Sequence, residues 1–335
     1  MNFDIAMPLT LFAVIIAAMF LDKKVEGKMK KVFEEKEFRV RDAILLVAAI
    51  SVAVSLIVFI PQMAIMTIFL FSYSTLLFVF TYIFSDFQKT KARLFCIAFL
   101  VVSFTAATVS LFGLAVNSLI IYSALAFFCF SAFTFIVLLY DVYRTSTQER
   151  WYLAVMPPAL FIFLYLFFSG TPIWFPYLLN VYGIIFAVLI ILYLGSLFRW
   201  KTTLIFVALL TIMDVVLVLV TGAMVSAASH ISGLQLPMLI TIRTIPPVII
   251  RGNLIWMSLG LGDFFFAGLT ALQTLRKYGR DFAILSTVAM SASFSIFEAF
   301  LLTYQLRAFP GTVMIISGWL PLILWKKLTH QKETS

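Results

Sequence analysis

The chain has 335 residues, of which 63% are hydrophobic and 12% charged, with a net charge of +9. A soluble domain carries about 25% charged residues. This composition excludes a soluble globular enzyme, a disordered chain and a disulfide-built secreted module. It predicts an all-α polytopic membrane protein with about nine to eleven transmembrane helices of ~20 residues each.

In chain order, apolar runs predict spans over residues 6–21, 43–60, 62–84, 94–116, 118–140, 152–168, 177–197, 202–228, 254–275, 281–304 and 310–325. Residues 22–42, DKKVEGKMKKVFEEKEFRVRD, alternate in charge sign. They read as a solvated basic helix, with contact to lipid headgroups as the sharper alternative. Pro61 and Asn117 punctuate long apolar stretches into helical hairpins. Cys96 and Cys129 lie in apolar runs and read as small packing residues, not a disulfide. With His230 and His330 as the only histidines and no HExxH, no metal or Ser-His site is expected, and no cofactor.

The basic residues orient these spans. Placing 22–42 inside puts the loops near 85–93, 141–151, 199–201 and 276–281, and the tail 326–335, on the same side. Those segments hold 21 of the 24 Lys and Arg, leaving Arg243, Arg251 and Arg307. The positive-inside rule then places the N-terminus outside and the C-terminus in the cytoplasm. It also assigns the net charge to loops beside the lipid bilayer, not to nucleic acid.

Against this background the acids stand out. Of 15 acidic residues, only Asp214, Asp263 and Glu298 lie well within predicted spans. A carboxylate in hydrocarbon costs a few kcal/mol or more, so such residues default to function. Measured from predicted outer ends near 228 and 254, Asp214 lies ~21 Å deep and Asp263 ~14 Å deep. Both depths are near the middle of a ~30 Å core. Two facing carboxylates do not both ionise cheaply, so one holds a proton while the other is charged. Such a pair activates a water and protonates a leaving amide nitrogen. Glu298, ~9 Å from its outer end, reads as a water-reaching or hydrogen-bonded structural acid. A different class of function fits the same aspartates, namely a proton relay in a transporter or channel. No internal repeat between the halves supports that alternative.

Asp263 sits in SLGLGDFFFAG, where Gly260 and Gly262 permit close backbone approach. Gly260-Leu261-Gly262-Asp263 resembles the GxGD signature of the intramembrane aspartyl proteases, the presenilin and signal peptide peptidase group. Leu234-Gln235-Leu236-Pro237-Met238-Leu239 resembles the proline-containing segment before GxGD in signal peptide peptidases. Asp214, in TIMDVV, takes the place of the first catalytic aspartate. Pro310-Gly311-Thr312 falls 47 residues after Asp263, where the family's Pro-Ala-Leu motif would lie. The short loops resemble compact archaeal members.

The resemblance covers about residues 202–325 and implies a catalytic transmembrane core there. Residues 1–201 would be N-terminal helices including the 22–42 loop, and 326–335 a tail. It implies an endopeptidase that cuts transmembrane segments of membrane proteins or signal peptides, with Asp214 and Asp263 as the dyad. Gly260, Leu261, Gly262, Leu236, Pro237, Pro310, Gly311 and Thr312 would shape the cleft. The apolar stretch Leu236–Ile242 offers an edge for strand addition to an unwound substrate. With the 229–253 loop outside, the orientation is similar to signal peptide peptidase and opposite to presenilin. It favours substrate helices with cytosolic N-termini.

Overall fold

The computed structural model describes residues 2–32, 38–84, 89–114, 118–143, 151–250, 252–306 and 308–333. Twelve α-helices account for most of these residues. Nine helical stretches among the described residues are long and apolar enough to cross a membrane. The chain is therefore a helical, multi-pass membrane protein. Asn117, expected to punctuate a hairpin, lies outside the described residues.

The helices pack as two units, Met1–Ile65 with Pro176–Ser335, and Met66–Phe175. The second unit contains most of α3 (Gln62–Ile83), α4 (Lys89–Val109), α5 (Ser118–Tyr143) and α6 (Met156–Phe168). Its interior is aromatic, with Phe127 stacked on Phe163 at 5.2 Å between ring centroids. Cys96 is buried there beside Ala92, Leu138 and Leu153. Both cysteines are free, as their apolar settings predict.

The first unit contains α1 (Ala6–Val32), α2 (Val40–Leu56), α7 (Leu179–Leu197), α8 (Trp200–Val215), α9 (Ala223–Ser232), α10 (Leu261–Tyr278), α11 (Arg280–Tyr304) and α12 (Gly311–Glu333). α10 is its axis. Residues Phe264 to Thr274 are buried without interruption, and α1, α7, α8, α11 and α12 all pack on them. A helix enclosed by other helices needs no lipid-facing stripe. That is why α10 tolerates Asp263 and Gln273 along its length, while Arg276 and Lys277 lie at its exposed end.

Small residues bring these helices together. A Cβ on Gly268 of α10 would lie 2.5 Å from Ile191 of α7, and one on Gly195 of α7 would lie 2.9 Å from Leu272. Without a hydrophobic drive between helices in lipid, such close backbone approach supplies the attraction. At one end of α10, Arg276 donates to both oxygens of Asp22 (2.7 and 3.3 Å) and to the Gly195 carbonyl. The basic stretch after residue 21 thus begins as a direct continuation of α1 rather than a separate helix.

Two predicted spans are not single helices. The 254–275 span divides into β4 (Trp256–Gly260) and α10. β4 pairs antiparallel with β1 (Leu239–Arg243), in a register running from Leu239↔Gly260 to Arg243↔Trp256. β2 (Ile249–Ile250) and β3 (Asn253–Leu254) form a second small hairpin between them. Periodicity alone does not tell a short apolar strand from a helical segment, so the run reads as one helix until β1 is known to pair with it. The 202–228 span also divides. α8 widens into a π-helical turn at Val216–Val220 and ends at Gly222, which is left-handed (φ +66°), before α9. The depths computed from uninterrupted helices therefore do not hold. Asp214 is six residues from the end of its helical segment at Val220, and Asp263 is the third residue of α10.

Candidate active site

The GLGD sequence lies at the junction where β4 turns into α10. Gly260 is the last extended residue (φ −72°, ψ 148°) and the N-cap of the helix, and Asp263 falls in the first turn. A Cβ built on Gly260 would lie 3.3 Å from Oδ2 of Asp263, so the end of β4 sits directly against the carboxylate. The Leu261 N–H donates to the carbonyl of Met238 at 3.1 Å. This bond ties the segment containing Leu236 and Pro237, both buried, to the start of α10.

Asp214 is held by α12. Thr312 donates to one Asp214 oxygen, Oδ2, from its backbone N–H (3.1 Å) and from its hydroxyl (2.6 Å). The preceding residue, Gly311, faces the other aspartate. A Cβ built there would lie 2.7 Å from Cγ of Asp263. Adjacent residues at the head of α12 thus touch one carboxylate each, and Asp214 and Asp263 are near enough to interact electrostatically. Pro310 is buried immediately before them and its carbonyl accepts from Met314 N–H at 3.3 Å.

The arrangement has a common physical basis. The first N–H groups of a helix lack partners within it, and the helix dipole favours negative charge there. Asp263 occupies the first turn of α10, and Asp214 receives a first-turn N–H of α12. Two helix starts supply donors to carboxylates that hydrocarbon alone would not solvate.

α12 is fixed in this position from two sides. Trp319 Nε1 donates to Thr274 of α10 at 2.9 Å, and Ser293 of α11 donates to the Met314 carbonyl at 2.8 Å. On the Asp214 side, the Ser51 hydroxyl of α2 donates to the sulfur of Met213.

A cavity of about 500 Å³ opens beside Asp263. Ser258 and Leu259 of β4, Phe294, Leu301 and Leu302 of α11, and Phe309, Gly311 and Met314 form much of its wall. Most of the lining side chains are apolar and Asp263 is the one carboxylate among them, a setting suited to an apolar chain segment whose backbone reaches Asp263. Leu236 and Pro237 are buried and do not line this cavity. Among the described residues, no group of three or more His, Cys, Asp or Glu is arranged to hold a metal.

Glu298 differs from its sequence reading. It is fully buried on α11, and among the described residues neither carboxyl oxygen has a hydrogen-bond partner. Glu298 points into the unit with Phe294 and Leu302 of the same helix buried beside it, although α11 ends at exposed residues from Thr303 onward. Three other polar residues escaped the sequence reading. Asp4 caps α1 through the N–H groups of Ala6 and Met7 and also accepts from Ile245 N–H at 2.7 Å. Asp22 anchors Arg276. Asn180 of α7 binds Thr241 of β1 through both ends of its carboxamide. A lone Asn within the apolar run 177–197 was a visible signal, overlooked in favour of the acids.

Comparison of the chain with protein-family models, with curated proteins and with solved structures yields no match.

Proposed function

We propose that the chain is an intramembrane aspartyl endopeptidase, with Asp214 and Asp263 as its catalytic pair. The observation that carries this reading is the meeting of both carboxylates at Gly311-Thr312, beside an apolar cavity and a short strand that ends three residues before Asp263. The GxGD resemblance supports it independently.

Hydrolysis of a buried amide needs water, a base and an acid. In the proposed reaction one carboxylate accepts a proton from water as its oxygen bonds to the substrate carbonyl carbon. The other carboxyl group donates a proton to the amide nitrogen as the C–N bond breaks. The products are a new carboxyl and a new amino terminus. Thr312 holds Oδ2 of Asp214 with two donors, and among the described residues no hydrogen bond engages Oδ1, which is therefore the oxygen proposed to act.

A helical peptide bond is already hydrogen-bonded, so the substrate unwinds before it is cut. The cavity lies along β4, and an unwound segment gains backbone partners by adding to that strand. The proposed substrates are therefore transmembrane segments or signal peptides whose apolar side chains fit a wall of Phe294, Leu301, Leu302 and Phe309. Loop charge supports an orientation with 229–253 outside, and with cytosolic N-termini on the substrates. Cysteines introduced at Gly233 and Gly252 are expected to label from the outer face. Labelling only from the cytoplasm would reverse the orientation.

The decisive experiment reconstitutes purified protein with single-span model substrates. Wild type is expected to release product, with Asp214→Ala and Asp263→Ala each releasing none. Equal product from all three would remove the pair from catalysis. Proton flux through wild type that is lost in the same variants, without cleavage, would favour the relay.

A further inference from the structure

We infer that Asn180 is a positioning residue that confines an extended substrate to one edge of the β1–β4 sheet and so sets where it is cut. The inference rests on the proteolytic reading above, but the edge assignment is testable without cleavage.

A two-stranded sheet has two edges, and each can accept another strand. Along a strand, the N–H and C=O of one residue point to the same side, and the side alternates with each residue. At Thr241 both groups point away from β4, and both are taken by Asn180. Its Nδ2 donates to the Thr241 carbonyl at 2.6 Å, and the Thr241 N–H donates to its Oδ1 at 2.8 Å. One carboxamide thus supplies the donor and acceptor that a neighbouring strand residue would supply.

The same edge is occupied again just beyond β1. Ile245 donates to Asp4 Oδ1 at 2.7 Å and accepts from Ile5 N–H at 2.9 Å. α7 also meets β1 closely at Gly183, one turn after Asn180, where a Cβ would lie 2.9 Å from Ile240. A carboxamide in an apolar helix is costly unless both ends are bonded. Here β1 bonds both, so the same contact that satisfies Asn180 closes the edge.

The register then identifies the open edge. Thr241 pairs with Ser258. Because Thr241 turns its backbone away from β4, Ser258 turns its own away from β1. Their hydroxyls meet at 2.8 Å, as suits the closer, non-hydrogen-bonded type of pair. Ser258 is exposed and lines the cavity, and among the described residues its backbone groups have no partner. Two residues on, Gly260 has the same orientation and lies against Asp263, where a Cβ would stand 3.3 Å from Oδ2. The open edge therefore runs from Ser258 to the carboxylate. A substrate residue paired with Ser258 places a peptide bond ~7 Å further along, beside the dyad. A strand added outside β1 would lie on the far side of the sheet from Asp263, where it cannot react.

The test uses full-length protein carrying Asp214→Asn in detergent, with a single-span apolar peptide as probe and amide hydrogen exchange resolved by residue. The peptide is expected to slow exchange at Ser258. Thr241 should be slow with or without it. Adding Asn180→Leu should speed Thr241 exchange about tenfold or more without peptide, as expected for the loss of about 1.4 kcal/mol of hydrogen bonding. The peptide should then slow Thr241 as well as Ser258.

In the cleaving protein, wild type should give one dominant product end. Asn180→Leu should give additional ends and a higher KM, with kcat changed less. Asn180→Asp keeps the acceptor for Thr241 N–H and should give an intermediate spread, a second route should the leucine variant fail to fold. Gly183→Ala strains the same α7–β1 joint without removing either bond. It should lower the melting temperature and leave product ends unchanged. The inference is overturned if the peptide leaves Ser258 unprotected. It is equally overturned if product ends and Thr241 exchange in Asn180→Leu match wild type. Ser258 protection with no cleavage by wild type would instead defeat the protease reading and leave the edge assignment standing.

Discussion

Gly311 faces Asp263 with no room for a side chain between them, since a Cβ there would lie 2.7 Å from the carboxyl carbon. The contact is to a functional group rather than to a yielding aliphatic end. Gly311→Ala is therefore expected to move the carboxylate and not to unfold the protein. A displacement near 1 Å at a reacting group costs about 10²-fold in rate. Single-turnover cleavage should fall by about that factor while the melting temperature changes little. A variant with wild-type cleavage would show that Asp263 has freedom the geometry denies.

This glycine also shows what the sequence made legible. Pro310-Gly311-Thr312 stood out through the resemblance, as the segment where the Pro-Ala-Leu motif would lie, and its Gly311 and Thr312 meet one aspartate each. The aspartates were legible because so few acids interrupt the apolar runs. The strand before Asp263 was not, because WMSLG is apolar enough to read as helix and its partner β1 lies 17 residues upstream. Asn180 was missed for a related reason. A polar residue in one helix becomes informative only when the backbone it binds is known to be extended and to need an edge partner. Glu298 failed in the opposite direction. Its position in the chain suggested a water-reaching or hydrogen-bonded acid, and only the packing of α11 reveals a buried carboxyl group with no hydrogen-bond partner among the described residues.

Thr312 offers a sharper test of how Asp214 is held. Its hydroxyl and its N–H both donate to Oδ2. Thr312→Val keeps the shape and the N–H and removes the hydroxyl. A hydrogen bond to a charged group contributes about 1.5–3 kcal/mol, so kcat should fall by roughly 10- to 100-fold if that bond is made in the transition state. Thr312→Ser should restore most of the loss. Failure of serine to rescue would mean that the methyl packing, and not the hydroxyl, is what matters.

Gly318 probes the scaffold instead of the chemistry. It lies about two turns along α12 from Gly311, where a Cβ would stand 2.6 Å from the Ala289 carbonyl carbon and 2.9 Å from the Met290 Cα. These are backbone atoms of α11, so neither yields by a rotamer change. Gly318→Ala should separate α11 from α12 and destabilise the first unit by about 1–3 kcal/mol, read as a lower melting temperature. Because α12 carries Gly311 and Thr312, cleavage should fall in parallel with stability. Lower activity at unchanged stability would contradict a purely packing role.

Glu298 supplies the converse prediction, a substitution that strengthens the fold. Its carboxyl group is buried with neither oxygen bonded among the described residues. The nearby Asp4 does not supply a donor, because its oxygens are already occupied by the N–H groups of Ala6, Met7 and Ile245. Leaving a buried polar group unsatisfied costs about 1–3 kcal/mol, and an apolar side chain of similar length avoids that cost. Glu298→Met should therefore raise the melting temperature. Cleavage should persist, since Glu298 does not line the cavity beside Asp263. Glu298→Gln keeps the shape but retains two polar atoms to satisfy, so it should stabilise less than methionine. If methionine instead abolished cleavage while raising stability, the carboxyl group would have to act in the reaction, and the assignment of catalysis to Asp214 and Asp263 alone would be incomplete.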